Sequence, residues 1–166
     1  MYVHIVIKNY QRRYKLIVTD EKILRQRSKE WHNDSVHAQE ELKDVVYQMD
    51  EAMEKYEGIG ISAIQIGIPW RIFLAGRPSE LFINPRIIEK SSIMKQDWEG
   101  CLSCPDLKVR VKRSHSVVME YDTFNESGEY ITVKRKFKGF DARVVQHEFD
   151  HLNGILITDK GKVVRL

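Results

Sequence analysis

The sequence predicts an α+β chain, and three observations predict it. Apolar residues recur at helical spacing over residues 35–57. Short runs of strand-like composition then fill the stretch from 71 to 137. A second helical stretch opens near residue 139 and carries the pattern His-Glu-x-x-His. No repeat, low-complexity segment or linker divides the 166 residues, so one domain spanning 1–166 is expected.

Composition narrows the class. An apolar fraction of 42% and a charged fraction of 31% describe a globular chain, not a disordered or fibrous one. A formal net charge of +3 is too mild to argue for a nucleic-acid partner. The longest apolar runs are a handful of residues, too short to span a bilayer. The start, Met1-Tyr2-Val3-His4-Ile5, lacks the pattern of a secretory signal, so a cytoplasmic location is expected. Cys101 and Cys104 stand close together with no wider cysteine framework. In a reducing compartment that favours a metal or catalytic role over a structural disulfide.

Along the chain, Val3, Ile5 and Ile7 alternate, as do Leu16 and Val18, so residues 1–20 read as an N-terminal extension or edge strand. Lys8, Arg12, Arg13 and Lys15 between them read as a solvated basic turn. Residues 28–34 are polar and loop-like. The helix over 35–57 is carried by Leu42, Val45, Val46, Met49, Ala52, Met53 and Tyr56. Asp34 or Ser35 is its expected N-cap, and Gly58 its expected C′ residue.

Strands are expected at 71–75, 81–83, 87–88, 107–111, 116–121 and 130–137. Asn125-Glu126-Ser127-Gly128 is the turn of a hairpin joining the last two. Pro69, Pro78, Pro85 and Pro105 are expected between the runs, where they cost no ladder hydrogen bond. The closing helix begins near residues 139–141, with Asp141 as its cap. After Gly154 comes the apolar run Ile155-Leu156-Ile157, within a short tail over 155–166.

The chemistry gathers on Gln146-His147-Glu148-Phe149-Asp150-His151. On a helix, His147 and His151 lie one turn apart on one face and can share a metal ion, with Glu148 beside them as a general base. A catalytic site needs one further protein ligand and an open position. Cys101, in Glu99-Gly100-Cys101-Leu102-Ser103, can supply the ligand. The same spacing, Cys101-x-x-Cys104 with His147-x3-His151, also spells a closed Cys2His2 structural site. Against it, Glu148 would then have no task, and Pro105 stiffens the loop both sulfurs must share. Gly58-Ile59-Gly60 allows close backbone approach, and Gln65 offers a neutral donor beyond it. A phosphate loop is the rival there, but the further glycine and Lys-Ser/Thr pair are missing.

Three segments stand in one order: Gly58-Ile59-Gly60-Ile61-Ser62-Ala63-Ile64-Gln65, Glu99-Gly100-Cys101-Leu102-Ser103, and Gln146-His147-Glu148-Phe149-Asp150-His151. Together they resemble the peptide deformylases, over most of the chain from about Ile23-Leu24-Arg25 to Gly154. The resemblance implies antiparallel strands packed around a central helix that carries the two histidines. It implies Cys101, His147 and His151 as metal ligands, Glu148 as general base and acid, and Gln65 with the Leu102 amide as oxyanion donors. Ile59, Gly60, Gly100 and Val144 are expected to bind substrate, with Ile59 and Val144 receiving a methionine side chain.

The implied reaction releases formate from N-formylmethionyl nascent peptides, a step of N-terminal processing in protein biosynthesis. The implied cofactor is one divalent metal, natively Fe²⁺, with Zn²⁺, Ni²⁺ or Co²⁺ as substitutes. The implied partners are the formylated peptide and the ribosome near its exit tunnel, with no membrane, no specific nucleic acid and a monomeric enzyme. Four features depart from the family pattern: Ser62 for an alanine, Cys104 for an aliphatic residue, Asp141 for an apolar one, and Glu21-Lys22 for a proline. The chain also stops soon after the motif helix, which resembles the shortened forms of phage and organelles that lack a C-terminal helix.

Overall fold

The structure is a computed structural model and describes residues 17–165. The alternating runs expected at Val3, Ile5, Ile7 and Leu16, with the basic turn between them, lie outside the described residues. Val18 is not in a strand; it packs with Leu24 and Leu156 in a small satellite cluster.

In chain order the elements are α1 (Glu21–Leu24), α2 (Val36–Lys55), β1 (Gly60–Ser62), β2 (Ile72–Ala75), β3 (Glu80–Lys90), β4 (Met94–Cys101), β5 (Cys104–Ser114), β6 (Ser116–Phe124), β7 (Tyr130–Lys138), α3 (Gly139–His151) and β8 (Gly161–Arg165). One 3₁₀ turn follows β1 at Ala63–Ile66 and another precedes β8 at Ile157–Asp159. The strands form two antiparallel sheets, ordered β1-β2-β3-β6-β7 and β4-β5-β8.

Strand periodicity explains how α3 comes to the centre. Along β2, Ile72 and Leu74 join the cluster under α2, while Phe73 and Ala75 point the other way. Leu42, Val45, Met49, Ala52 and Met53 of α2 close the first face. Ala142, Val145 and Leu152 close the second, packing with Phe73, Phe82, Met119 and Phe137. Each such large buried side chain contributes roughly 1.5–3 kcal/mol. The opposite side of α3 turns towards β4 and β5, so the helix lies between the sheets, as the resemblance implies.

Local signals account for most boundaries. Ser35, not Asp34, caps α2, its side chain accepting from the Ala38 amide at 3.1 Å. At the other end Glu57, not Gly58, takes the left-handed conformation, with φ 53°. The Gly58 amide then bonds the Met53 carbonyl at 2.9 Å and the Glu57 amide the Glu54 carbonyl at 3.3 Å, a Schellman closure. Asp141 lies in the first turn of α3, and the capping position is Lys138. The β6–β7 hairpin turns where expected, and Asn125 Oδ1 accepts from the Ser127 and Glu129 amides.

Two expectations about the strands also need correction. The runs at 81–83 and 87–88 are one strand, β3, with Pro85 inside it at the register shift between Ile83 and Arg86. Such a shift leaves a residue unpaired, so the missing N–H costs nothing there. Pro105 likewise lies within β5, not before it. Within the tail over 155–166, β8 pairs with β5 in register, Val109 opposite Val163 and Val111 opposite Gly161.

Candidate active site

The strand edge at the β4–β5 turn and the inner face of α3 meet at one place. His147 and His151 stand one turn apart, with ring centroids 5.0 Å from each other. Cys101 ends β4, and its Sγ lies 3.3 Å from His151 Nε2. One donor atom each from Cys101, His147 and His151 lies within 4.8 Å of the other two. Tetrahedral coordination at ordinary metal–sulfur and metal–nitrogen lengths spaces ligand atoms by about 3.3–3.6 Å. A thiolate with two imidazoles at this spacing fits a single divalent ion of the zinc or iron kind.

The tautomer of His147 is fixed from behind. Its Nδ1 pairs with Glu99 Oε2 at 3.0 Å, which leaves Nε2 for the cluster. The sequence gives no direct sign of this, and Asp150 on the same helix pairs instead with Arg113 and Lys160. Two buried guanidiniums hold Glu99. Arg113 donates through Nε at 2.6 Å and Nη2 at 2.8 Å, and Arg143 through Nη1 at 2.6 Å. Burial would raise the Glu99 carboxyl, but the bonds from His147 and Arg113 outweigh it and hold the group far below the usual carboxylate range. Burial alone would lower His147, but the Glu99 bond with the charges of Glu148 and Glu99 outweighs it, so that imidazole is raised; His151, without such a bond, is pushed well down by burial.

Glu148 is buried beside the cluster, and burial pushes its carboxyl above the ordinary range while His147 and Ser62 pull against the shift. The Ser62 hydroxyl lies 2.8 Å from Oε2. Ser62, which sequence reasoning marks only as a tolerated small residue, thus tethers the carboxylate. Gly60 leaves it room: a Cβ there would stand 2.5 Å from Glu148 Oε1 and 3.0 Å from its Cγ and Cδ. Gly60→Ala should therefore displace the carboxylate and lower turnover by roughly 10²-fold with metal content unchanged, as steady-state kinetics and elemental analysis would report.

Gln65 is equally constrained. Its Oε1 accepts from the Ser62 amide at 2.9 Å, so its NH₂ faces Cys101 Sγ at 3.6 Å and Ser103 Oγ at 3.2 Å. Cys104 sits directly across the strand pair from Cys101. The two thiols set each other's ionisation: Cys104 pushes Cys101 up, with burial acting the same way, and Cys101 draws Cys104 down to about 7.

An open cleft of about 490 Å³ runs over these groups. Ile59, Gly60, Gln65, Gly100, Cys101, Leu102, Val144, His147 and Glu148 all line it, while His151 lies beneath. Cys104 is not on its wall. Sequence reasoning did not mark the exposed aromatics Trp98 and Phe140 on the lining, nor Arg143, and it placed Tyr56 in the apolar stripe of α2, where the structure has it exposed on the cleft. Along β5, Lys108, Arg110 and Lys112 face solvent, but Arg113 is turned inward.

Comparison with known proteins follows this geometry. The model of the polypeptide deformylase family matches residues 14–165. A peptide deformylase of Thermotoga maritima is 39% identical over 149 residues, covering 89% of this chain and 86% of the relative. The crystal structure of a Thermotoga maritima peptide deformylase superposes with a TM-score of 0.78 at 38% identity, covering 90% of this chain and 97% of that one. A class I type b peptide deformylase from Acinetobacter baumannii, crystallised with Met-Ala-Ser bound, is similar at a TM-score of 0.73 and 32% identity, covering 87% and 96%.

Proposed function

We propose, for a chain that belongs to the peptide deformylase family, how its own residues divide the work. It is a metal-dependent hydrolase acting on N-formylated nascent peptides. Cys101, His147 and His151 would hold the divalent ion, which when bound supplies Lewis acidity toward water and the formyl oxygen. Glu148 takes a proton from the attacking water, and its raised affinity for that proton suits a base that must return it. The same carboxyl then protonates the departing amine, and formate leaves. Gln65 Nε2, held by the Ser62 amide bond, donates to the oxygen that gains charge as the formyl carbon becomes tetrahedral. The Leu102 amide is the companion donor. Gly60 and Ser62 keep the space next to Glu148 small enough for a formyl group.

The methionine side chain lies against Ile59 and Val144, and the peptide continues past Gly100 along the cleft. That the similar Acinetobacter baumannii peptide deformylase was crystallised with Met-Ala-Ser bound supports a methionyl peptide as the ligand. The single observation that carries the reading is that the buried carboxylate of Glu148, the Gln65 amide and the Cys-His-His cluster all meet at one open cleft. The family resemblance supports Fe²⁺ as the native ion, a monomeric enzyme in the cytoplasm, and action near the ribosome exit. Residues 1–166 are proposed to act as one catalytic domain.

The test is formate release from formyl-Met-Ala-Ser by anaerobically prepared protein of measured metal content, set against cleavage inside a blocked peptide. Internal cleavage without formate would overturn the reading. Gln65→Leu should lower kcat by about 10²–10³-fold with little change in KM.

A further inference from the structure

Cys104 has no task in this chemistry, yet its position is specific. Cys101 and Cys104 flank the two-residue turn Leu102-Ser103 and are Cα partners in the antiparallel ladder of β4 and β5. Directly opposed residues of such a ladder carry their side chains on the same face, with Cα atoms about 4.5–5.5 Å apart. That spacing falls within the range of about 4.4–6.8 Å that a disulfide spans without moving the backbone. Both cysteines are free thiols and partly exposed, and Cys101 lines the cleft. Small oxidants entering the cleft therefore reach Cys101 with a second thiol already opposite it.

We propose that Cys101 and Cys104 form a reversible disulfide under peroxide, which withdraws the Cys101 sulfur from the cluster with His147 and His151 and releases the ion. The Cys101 sulfur attacks one peroxide oxygen; an S–O bond forms, the O–O bond breaks and hydroxide leaves to take up a proton. The Cys104 sulfur then attacks the sulfenic sulfur; an S–S bond forms, the S–O bond breaks and the second water departs with the Cys104 proton. Two thiols lose two electrons, and one hydrogen peroxide becomes two waters. A bound ion and the disulfide exclude each other, because both need the same sulfur. Cys104 is then a resolving thiol that stops Cys101 before the irreversible sulfinic and sulfonic states.

This inference rests on reading Cys101 as a metal ligand, so the experiment separates the two. The full chain is prepared with zinc bound and after removal of zinc, and each form is exposed to hydrogen peroxide. Thiols are blocked, and the tryptic peptide over 96–108, which holds both cysteines, is weighed. From the zinc-free chain it should be lighter by two hydrogens, and a thiol reductant should restore both thiols and zinc binding. From the zinc-loaded chain it should appear only as zinc passes to a coloured chelator. Cys104→Ser should bind zinc and release formate as the parent does. After peroxide its Cys101 should instead be heavier by two or three oxygens, with recovery of zinc binding by reductant at least about ten-fold lower than the parent's. Equal, reductant-resistant oxidation of Cys101 in both proteins, or a disulfide that joins two chains, would overturn the inference. Cys101→Ser with undiminished zinc would instead overturn the ligand assignment, whatever the peroxide result.

Discussion

Glu148→Gln is expected to lower deformylation by on the order of 10²–10⁴-fold while the metal content stays at that of the parent. Glutamine keeps the volume beside Gly60 and can still accept from Ser62, so the packing around Oε1 and Oε2 survives. It cannot take a proton at neutral pH. Among the described residues the carboxylate bonds Ser62 and neither histidine, so its loss should not move His147 or His151. The decisive measurement is kcat beside elemental analysis of the same preparation. Turnover within ten-fold of the parent, with metal retained, would remove Glu148 from the role of base. Metal loss alongside inactivity would make it a structural residue instead.

The second large effect is on stability. Glu99→Gln leaves Arg113 and Arg143 inside the protein with one anion fewer between them. Arg113 keeps the anion Asp150, and Arg143 keeps neutral acceptors such as the carbonyls of Val111 and Lys95. Removing one member of a buried ionic group typically costs about 3–5 kcal/mol. Metal affinity should fall as well, by about 10–100-fold, because His147 loses the anionic partner that fixes its tautomer and raises its basicity. The pH dependence carries a sign. The Glu99 carboxyl is held below its ordinary value of 4.5 in the folded chain. Its contribution is therefore whole above that value and declines as pH falls beneath it. Denaturant unfolding of the parent should lose stability on acidification below about pH 4.5, and Glu99→Gln should flatten that slope. An unchanged midpoint in urea at neutral pH would mean that the network around Glu99 adds nothing.

The pairing of His147 with His151 was the most legible part of the candidate site, because an i,i+4 pair of histidines encodes its own geometry. Also legible were α2, whose apolar stripe repeats over twenty residues, and the β6–β7 hairpin with its Asn-to-Gly turn. β4 was not legible: its residues are almost all exposed, so no apolar alternation marks it, and it exists because β5 beside it supplies the ladder. β8 is exposed throughout for the same reason. Arg113 shows a different limit. Alternation along β5 turns Val109, Val111 and Arg113 inward together, and a charged residue at an inward position looks, in sequence, like its solvated neighbours Lys112 and Arg110. Its partners, Glu99 and Asp150, distinguish it, and they sit on another strand and on α3. Ser62 escaped for the same reason, since its tether lies 86 residues away.

The helix between two sheets has a consequence for how the protein breathes. The five-stranded sheet grips α3 by apolar contact, whereas the three-stranded sheet grips it largely through charged groups and the Cys101 sulfur. Hydrocarbon contact is indifferent to protons and metals; the second grip is not. Amides of β4, β5 and β8 should therefore open as a cooperative unit whose hydrogen exchange slows when the ion binds, while those of β2, β3 and β6 hold their rate.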